Sequence, residues 1–288
     1  MEMLVFAGLT PHPPIIIPEV GGPELDTAAS TVTGMQEWAR AAAAAQLESL
    51  VFISPHAPFL HGALGCLNGK ELAGSFAAFG APEISFRVAN DWDLAVSIAG
   101  EAALAGVQVV ELNTHSLDHG VLVPLYYLQE AGVTANLVVF GISLLPPDQH
   151  YRFGQALYRA ITKSPRRIGL IASGDMSHRL KPEAPAGYDP QGQVFDRLIR
   201  ESLAVMDEER ILNIPEILAD RAGECGLRPI IMLLGALSYF EVESVIYSYE
   251  GPFGVGYLVA GFKLKQPADG ATTPATARMP QKGSAGDA

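Results

Sequence analysis

Short apolar runs alternate with longer segments of helical periodicity along most of the chain. Runs such as NLVVFGI and RIGLIAS are apolar throughout, which is typical of strands covered on both faces of a sheet. Strands are predicted over residues 3–8, 47–54, 107–112, 135–143, 167–173, 244–249 and 256–262. Helices are predicted over residues 31–45, 92–105, 121–131, 149–162, 193–207 and 227–240. This alternation predicts an α/β fold, a three-layer sandwich with a mostly parallel central sheet flanked by helices.

Two segments do not follow this alternation of strands and helices. Residues 61–80 are rich in glycine and short apolar pieces, which favours a β-hairpin excursion from the main sheet. Residues 265–288 are rich in Pro, Ala, Gly and Thr and almost free of large apolar residues, so we expect a disordered tail. Residues 1–264 are therefore expected to form one domain.

Composition removes several classes of function. The 288 residues include 31 acidic and 19 basic side chains, a formal net charge of −12, which argues against nucleic-acid binding. Cys66 and Cys225 do not make a disulfide framework, which favours a cytoplasmic location. The N-terminal apolar run meets Pro11 too early for a signal peptide, and the longest apolar stretch, 230–240, is too short for a membrane helix.

The placement of the histidines carries the chemical information. Five of the seven follow predicted strands: His12, His56, His115, His119 and His178. Ligand sites of open α/β sheets lie at the carboxyl ends of the strands, so we expect these five side chains to face one edge. A single histidine at a strand end more often has a structural role, whereas five at equivalent positions favour a site. The remaining two, His61 and His150, are assigned to the surface.

Prolines frame two of these histidines. His12 lies between Pro11 and Pro13 in LTPHPPIIIPEVGG, and His56 follows Pro55 in VFISPHAPF. Proline fixes φ and removes a backbone donor, so such loops can hold a ligand on stiff backbone.

Clustered neutral imidazoles suit a transition metal, and two histidines usually take a carboxylate as third ligand. The best candidate is Glu224, in a glycine-flanked turn before an apolar helix; the alternative is that Glu224 only complements the helix N-terminus. Its neighbour Cys225 is a competing ligand, or else a small buried hydrophobe. Two histidines and a carboxylate form the facial triad of non-haem Fe(II) oxygenases.

Five motifs occur in a fixed order: TPHPPIIIPEVG, SPHAPF, DHGVLVPLYYL, SGDMSHRL and AGECGLRPIIMLLGAL. Together they resemble the class III extradiol ring-cleavage dioxygenases, in particular the catalytic beta subunit of protocatechuate 4,5-dioxygenase and its relatives. The resemblance spans roughly residues 3–262. The chain is also similar to Memo-type proteins, which share the fold.

The resemblance implies a role for each matching residue. His12 and His56 would bind Fe(II), with Glu224 as the carboxylate ligand. His178 matches the catalytic acid/base histidine and His119 a second active-site histidine. His115 and Asp175 would orient imidazoles.

The implied activity is extradiol cleavage of a catechol-type ring with O₂. Memo-type proteins carry a cysteine where Cys225 stands, so the third ligand is ambiguous by one residue. The alternatives are a Memo-like protein that binds a metal or a peptide without ring cleavage, and a hydrolase that uses Zn²⁺. The expected partners are a small aromatic substrate and O₂, with no nucleic acid and no membrane; a homo-oligomer or a partner subunit stays open.

Overall fold

The structure is a computed structural model that describes residues 3–265. Apart from Lys265, the predicted tail lies outside the described residues. The strands are β1 (Leu4–Thr10), β2 (Ser49–Ser54), β3 (Leu64–Leu67), β4 (Glu71–Phe76), β5 (Ala81–Ala89), β6 (Val109–Leu112), β7 (Asn136–Gly141), β8 (Ile168–Ser173), β9 (Glu241–Glu250) and β10 (Tyr257–Lys265).

The helices lie between these strands. They are α1 (Pro18–Gly21), α2 (Ala29–Ala44), α3 (Trp92–Leu104), α4 (His119–Glu130), α5 (Pro147–Ile161), α6 (Pro190–Ala204), α7 (Glu208–Leu212), α8 (Glu216–Ala222) and α9 (Leu227–Leu237). Short 3-10 turns cover Pro14–Ile16, Gly22–Ala28 and Ala77–Phe79.

The main sheet has eight strands in the order β6-β3-β7-β2-β8-β1-β10-β9. The four central strands β7, β2, β8 and β1 are mutually parallel, and β10 pairs antiparallel with β1. The carboxyl ends of the four parallel strands therefore meet at one edge, which is where a ligand site is expected in such a sheet.

Helices cover both faces of the sheet, as predicted. Alternate residues of β2 point to opposite sides: Val51 and Ile53 join the core beneath α3, α5 and α9, whereas Leu50 and Phe52 join the core beneath α2 and α4. The predicted three-layer α/β fold is confirmed.

Helices α5 and α9 touch through their backbones. A Cβ atom at Gly154 of α5 would overlap the carbonyl oxygen of Met232, and one at Gly235 of α9 would overlap that of Tyr151. Only glycine permits this approach. Helix α9 begins directly after the turn that carries Glu224 and Cys225, and this turn approaches the end of β8 so closely that a Cβ at Gly174 would overlap Gly226.

Two sequence-based expectations need correction in part. The predicted β-hairpin excursion is present as the separate two-stranded sheet of β4 with β5, but its bounds differ from 61–80, because the apolar run Leu64–Leu67 is buried as β3 in the main sheet. Strand β6 pairs parallel with β3, which is antiparallel to β7, so β6 runs opposite to the central strands. Within residues 3–265 no helix is long and apolar enough to cross a bilayer.

Candidate active site

The two proline-framed loops bring His12 and His56 together at the carboxyl edge of the central strands. His12 is buried, with 1% of its surface exposed, and its backbone N–H donates to Oδ1 of Asp175 at 3.0 Å. The Nε2 atoms of His12 and His56 lie 3.0 Å apart. The sequence prediction that both loops present an imidazole at one place agrees with this geometry.

The tautomer of His12 is fixed by Ser173, the last residue of β8. The Ser173 hydroxyl donates its proton to the carbonyl oxygen of Gly120 at 2.5 Å. It can therefore only accept from His12, whose Nδ1 lies 2.8 Å away. The proton of neutral His12 is on Nδ1, and the Nε2 lone pair faces the cluster.

His119, the first residue of α4, completes a group of three imidazoles. Its ring centroid lies 4.1 Å from that of His56 and 5.3 Å from that of His12, and one nitrogen from each ring falls within 4.8 Å of the others. Burial lowers the pKa of His12 and of His119, and burial together with His119 lowers the pKa of His56 to about 4. At neutral pH these imidazoles are uncharged and can act as metal ligands.

A second group shares His12 with Asp175 and Cys225. The Cys225 sulfur lies 3.6 Å, and Asp175 Oδ2 3.8 Å, from His12 Nε2. The Asp175 N–H donates to the Cys225 sulfur at 3.2 Å. Burial raises the pKa of Asp175 to about 7 and raises that of the Cys225 thiol.

Each of these two groups could hold a metal ion, and His12 belongs to both. The donor set of nitrogen, sulfur and carboxylate oxygen suits a divalent transition metal.

Glu224 lies at the start of α9. Its Oε2 accepts from the N–H of Leu227 at 2.6 Å, and burial raises its pKa to about 7. The groups of three or more candidate ligands found among residues 3–265 include Cys225 and not Glu224. The hydrogen bond to Leu227 agrees with the alternative considered for Glu224, that its carboxylate complements the N-terminus of the helix. The assignment of Glu224 as a metal ligand stays a prediction.

His178 lies beside the second of these groups, next to Asp175. Its Nδ1 lies 2.6 Å from the carbonyl oxygen of Gly223, which can only accept, so neutral His178 carries its proton on Nδ1. Its Nε2 is 3.9 Å from Oδ2 of Asp175. Burial lowers the pKa of His178. The free Nε2 is thus a base held toward the site.

Two other histidines lie elsewhere than expected. His115 is exposed and belongs to neither group of candidate ligands, because β6 runs opposite to the central strands and the chain returns to the site only at His119. His150, assigned to the surface, is a fully buried residue of α5, and its Nδ1 is 3.2 Å from the carbonyl oxygen of Pro146.

Asp118 is a site residue that the sequence analysis missed. Its Oδ1 accepts from the hydroxyl of Ser54 at 2.7 Å, and Ser54 Oγ in turn accepts from the N–H of His56 at 3.2 Å. The residue before His119 is therefore tied to the loop of His56. Its other oxygen, Oδ2, is buried and finds no hydrogen-bond partner within the described part of the chain. The sequence signal for Asp118 is the DHG motif, where it directly precedes His119.

Comparison with known proteins identifies the family. Residues 6–260 match the catalytic LigB subunit of aromatic ring-opening dioxygenase. The chain belongs to this family, which is generally metal-dependent, and the groups of imidazole, thiol and carboxyl described above could hold a metal ion.

Two individual relatives share between a quarter and a third of their aligned residues with this chain. The chain is 33% identical over 258 residues to Protein CA_C1420 of Clostridium acetobutylicum, covering 86% of this chain and 55% of that protein. It is 25% identical over 179 residues to 3,4-dihydroxyphenylacetate 2,3-dioxygenase of Escherichia coli, covering 58% of this chain and 64% of that enzyme. The chain thus spans less than two thirds of the length of either relative.

A solved structure supports the fold. The crystal structure of uncharacterized protein JW3007 from Escherichia coli K12 superposes with a TM-score of 0.64 at 18% identity, covering 89% of this chain and 99% of that one. At this identity the likeness concerns the fold alone.

Proposed function

We propose that the protein is an Fe(II)-dependent extradiol dioxygenase that opens the ring of a catechol-type substrate with O₂. The observation that carries this proposal is the group of three neutral imidazoles, His12, His56 and His119, within 4.8 Å of one another in a chain of the aromatic ring-opening dioxygenase family.

The proposed metal ligands are His12, His56 and one residue of the turn formed by Glu224 and Cys225. The resemblance favours Glu224, and the 3.6 Å separation between the Cys225 sulfur and His12 Nε2 favours Cys225. Bound Fe(II) supplies the redox chemistry that lets O₂ react with an electron-rich diol. Zn²⁺ is the alternative ion, since a site that contains a thiolate accepts it readily.

His178 is the proposed acid/base group. Since its Nδ1–H is held by Gly223, Nε2 is the atom that accepts a proton from a substrate hydroxyl and later returns it to the product. His119, at the N-terminus of α4, is placed to hydrogen-bond the substrate. Asp175 Oδ2, 3.9 Å from His178 Nε2, stabilises the imidazolium while the proton is held there.

The proposal is tested by loading the purified protein with Fe(II) under anaerobic conditions, adding a panel of catechols, and recording O₂ uptake and the absorbance of ring-opened product. We expect O₂ consumption with at least one catechol, and its loss together with bound metal in His12→Ala and His56→Ala. His61→Ala is the control, because His61 is exposed and lies outside both ligand groups.

Metal-loaded protein that consumes no O₂ with any catechol would contradict the proposal. Elemental analysis of the protein as purified distinguishes iron from zinc. The alternative of a Memo-like protein without ring cleavage is not favoured by the comparisons, which find a dioxygenase family and a dioxygenase relative. A cytoplasmic location and assembly with a second subunit stay predictions.

A further inference from the structure

A cleft of about 780 Å³ opens beside His119. One wall is the hairpin of β4 and β5, and the other is the segment 115–119 that leads into α4. His119 belongs to both the imidazole group and the lining of this cleft, so the cleft lies directly beside that group. Sites for drug-sized ligands have volumes of about 300–1,000 Å³, and this cleft is much larger than one catechol ring requires.

The walls of the cleft are joined by backbone hydrogen bonds. The N–H of Ala73 donates to the carbonyl oxygen of His115, and the N–H of Leu117 donates to that of Ala73, both at 2.8 Å. Gly74 lies so close to Leu117 that a Cβ atom there would come within 2.8 Å of the Leu117 oxygen. The cleft is therefore formed before any ligand enters.

Phe79 presents an aromatic surface inside the cleft. Its ring is packed against the buried ring of Phe76, with centroids 6.1 Å apart, and approaches His119 edge-on at 5.6 Å. Even so, 38% of Phe79 is exposed. A large aromatic side chain that is held in place and left partly open beside an active-site imidazole is a favourable packing surface for a ligand.

The polar groups of the cleft are suited to an uncharged ligand. Ser75, Ser85 and Ser116 line it. The guanidinium that lines it, on Arg87, is paired with Glu71 at 3.0 Å. Asp118 also lines the cleft, but its Oδ1 accepts from Ser54 and its Oδ2 is buried. A substituent that carries a carboxylate would have to compete with Glu71 for the Arg87 guanidinium.

We propose that this cleft binds the ring substituent of the catechol, an uncharged aryl or alkyl group that packs on Phe79 while the diol occupies the metal site. The inference rests on the proposed function and deepens it, since it makes the substrate a substituted catechol and not catechol itself. Phe79 then determines specificity and takes no part in the chemistry.

The test is anaerobic titration of the Fe(II)-loaded protein with three compounds: catechol, 4-benzylcatechol and 3,4-dihydroxyphenylacetate. Binding is measured without O₂, so the readout does not depend on ring cleavage. We expect 4-benzylcatechol to bind about tenfold more tightly than catechol, and Phe79→Ala to remove most of that difference in affinity between the two compounds.

Phe59→Ala is the matched control. Phe59 is 43% exposed and approaches His61 edge-on at 5.8 Å, a geometry close to that of Phe79 and His119, but it does not line the cleft. In Phe59→Ala, 4-benzylcatechol should still bind about tenfold more tightly than catechol.

The outcomes separate the two proposals. If none of the three compounds binds, the proposed function fails and this inference fails with it. If catechol binds and is cleaved but 4-benzylcatechol gains nothing, or if Phe79→Ala and Phe59→Ala behave alike, the cleft inference alone is overturned. Tightest binding of 3,4-dihydroxyphenylacetate would overturn the assignment of an uncharged substituent.

Discussion

The hydroxyl oxygen of Ser173 lies 2.8 Å from Nδ1 of His12 and, because its proton is given to Gly120, acts there only as an acceptor. The His12 imidazole is thereby held in the tautomer that leaves Nε2 free to bind a metal. Hydrogen bonds of this kind to metal-binding histidines typically contribute about 10–100-fold to metal affinity.

Ser173→Ala should therefore weaken metal binding by about 10–100-fold with little loss of folded protein. Competition against a chelator of known affinity measures the change. Ser177→Ala is the control, because Ser177 is also a buried serine that donates to a carbonyl, that of Ala222, but does not contact a site imidazole. Equal metal affinity in the two variants would show that the Ser173 contact does not support the site.

The third ligand can be identified by two neighbouring substitutions. Since the Cys225 sulfur lies 3.6 Å from His12 Nε2 and the Glu224 carboxylate bonds the Leu227 N–H, we expect Cys225→Ser to lose metal and Glu224→Gln to keep it. The metal content of each variant after dialysis shows which residue is the third ligand. Retention by Cys225→Ser with loss in Glu224→Gln would establish the carboxylate ligand instead.

His178→Gln should lower kcat by about 10²–10⁴-fold while metal content stays that of the unsubstituted protein. His61→Gln should leave both unchanged. The neutral imidazole is the active base, and burial lowers the pKa of His178 below its ordinary value of 6.5. Activity should hold as the pH falls to 6.5 and decline only below it. A kcat that His178→Gln does not alter would exclude the acid/base role.

Asp196 should make stability depend on pH. Its carboxyl accepts from the Ser177 N–H and the Tyr249 hydroxyl, both at 2.7 Å, and burial raises its pKa from 3.8 to about 6. Between these values the folded protein binds more protons than the unfolded chain, so stability falls as pH rises. Relative to Asp196→Asn, the free energy of unfolding should fall by about 2–3 kcal/mol between pH 4 and pH 7.

Urea unfolding of both proteins with a chelator present measures this difference. If the difference in free energy of unfolding between the protein and Asp196→Asn is the same at pH 4 and at pH 7, the pH dependence does not come from Asp196.

The sequence was sufficient for the layers of the fold and for much of the site. Apolar runs and helical periodicity report burial directly, and the carboxyl ends of β1, β2 and β8 are followed by His12, His56 and His178. His119 also lies beside His12 and His56, as expected, but for a different reason, because β6 runs opposite to the central strands and the loop after it brings the chain back.

Other features were beyond local reasoning. Strand direction in β6 depends on pairing with β3, which is distant in sequence, so the exposure of His115 could not be read from its neighbours. The choice between Glu224 and Cys225 depends on backbone angles in one turn, and adjacent residues face different ways there. His150 was expected at the surface because it stands at the start of a predicted helix, yet it lies on the buried face of α5.

The glycine contact between α5 and α9 makes the site sensitive to a position that no ligand touches. Gly235 lies eight residues along α9 from Leu227, about 12 Å at the helical rise per residue. A methyl group at Gly154 would push α9 outward and carry Cys225 away from His12. Gly154→Ala should therefore weaken metal binding as well as lower the free energy of unfolding. The distance between two helices would then control the distance between the candidate ligands His12 and Cys225.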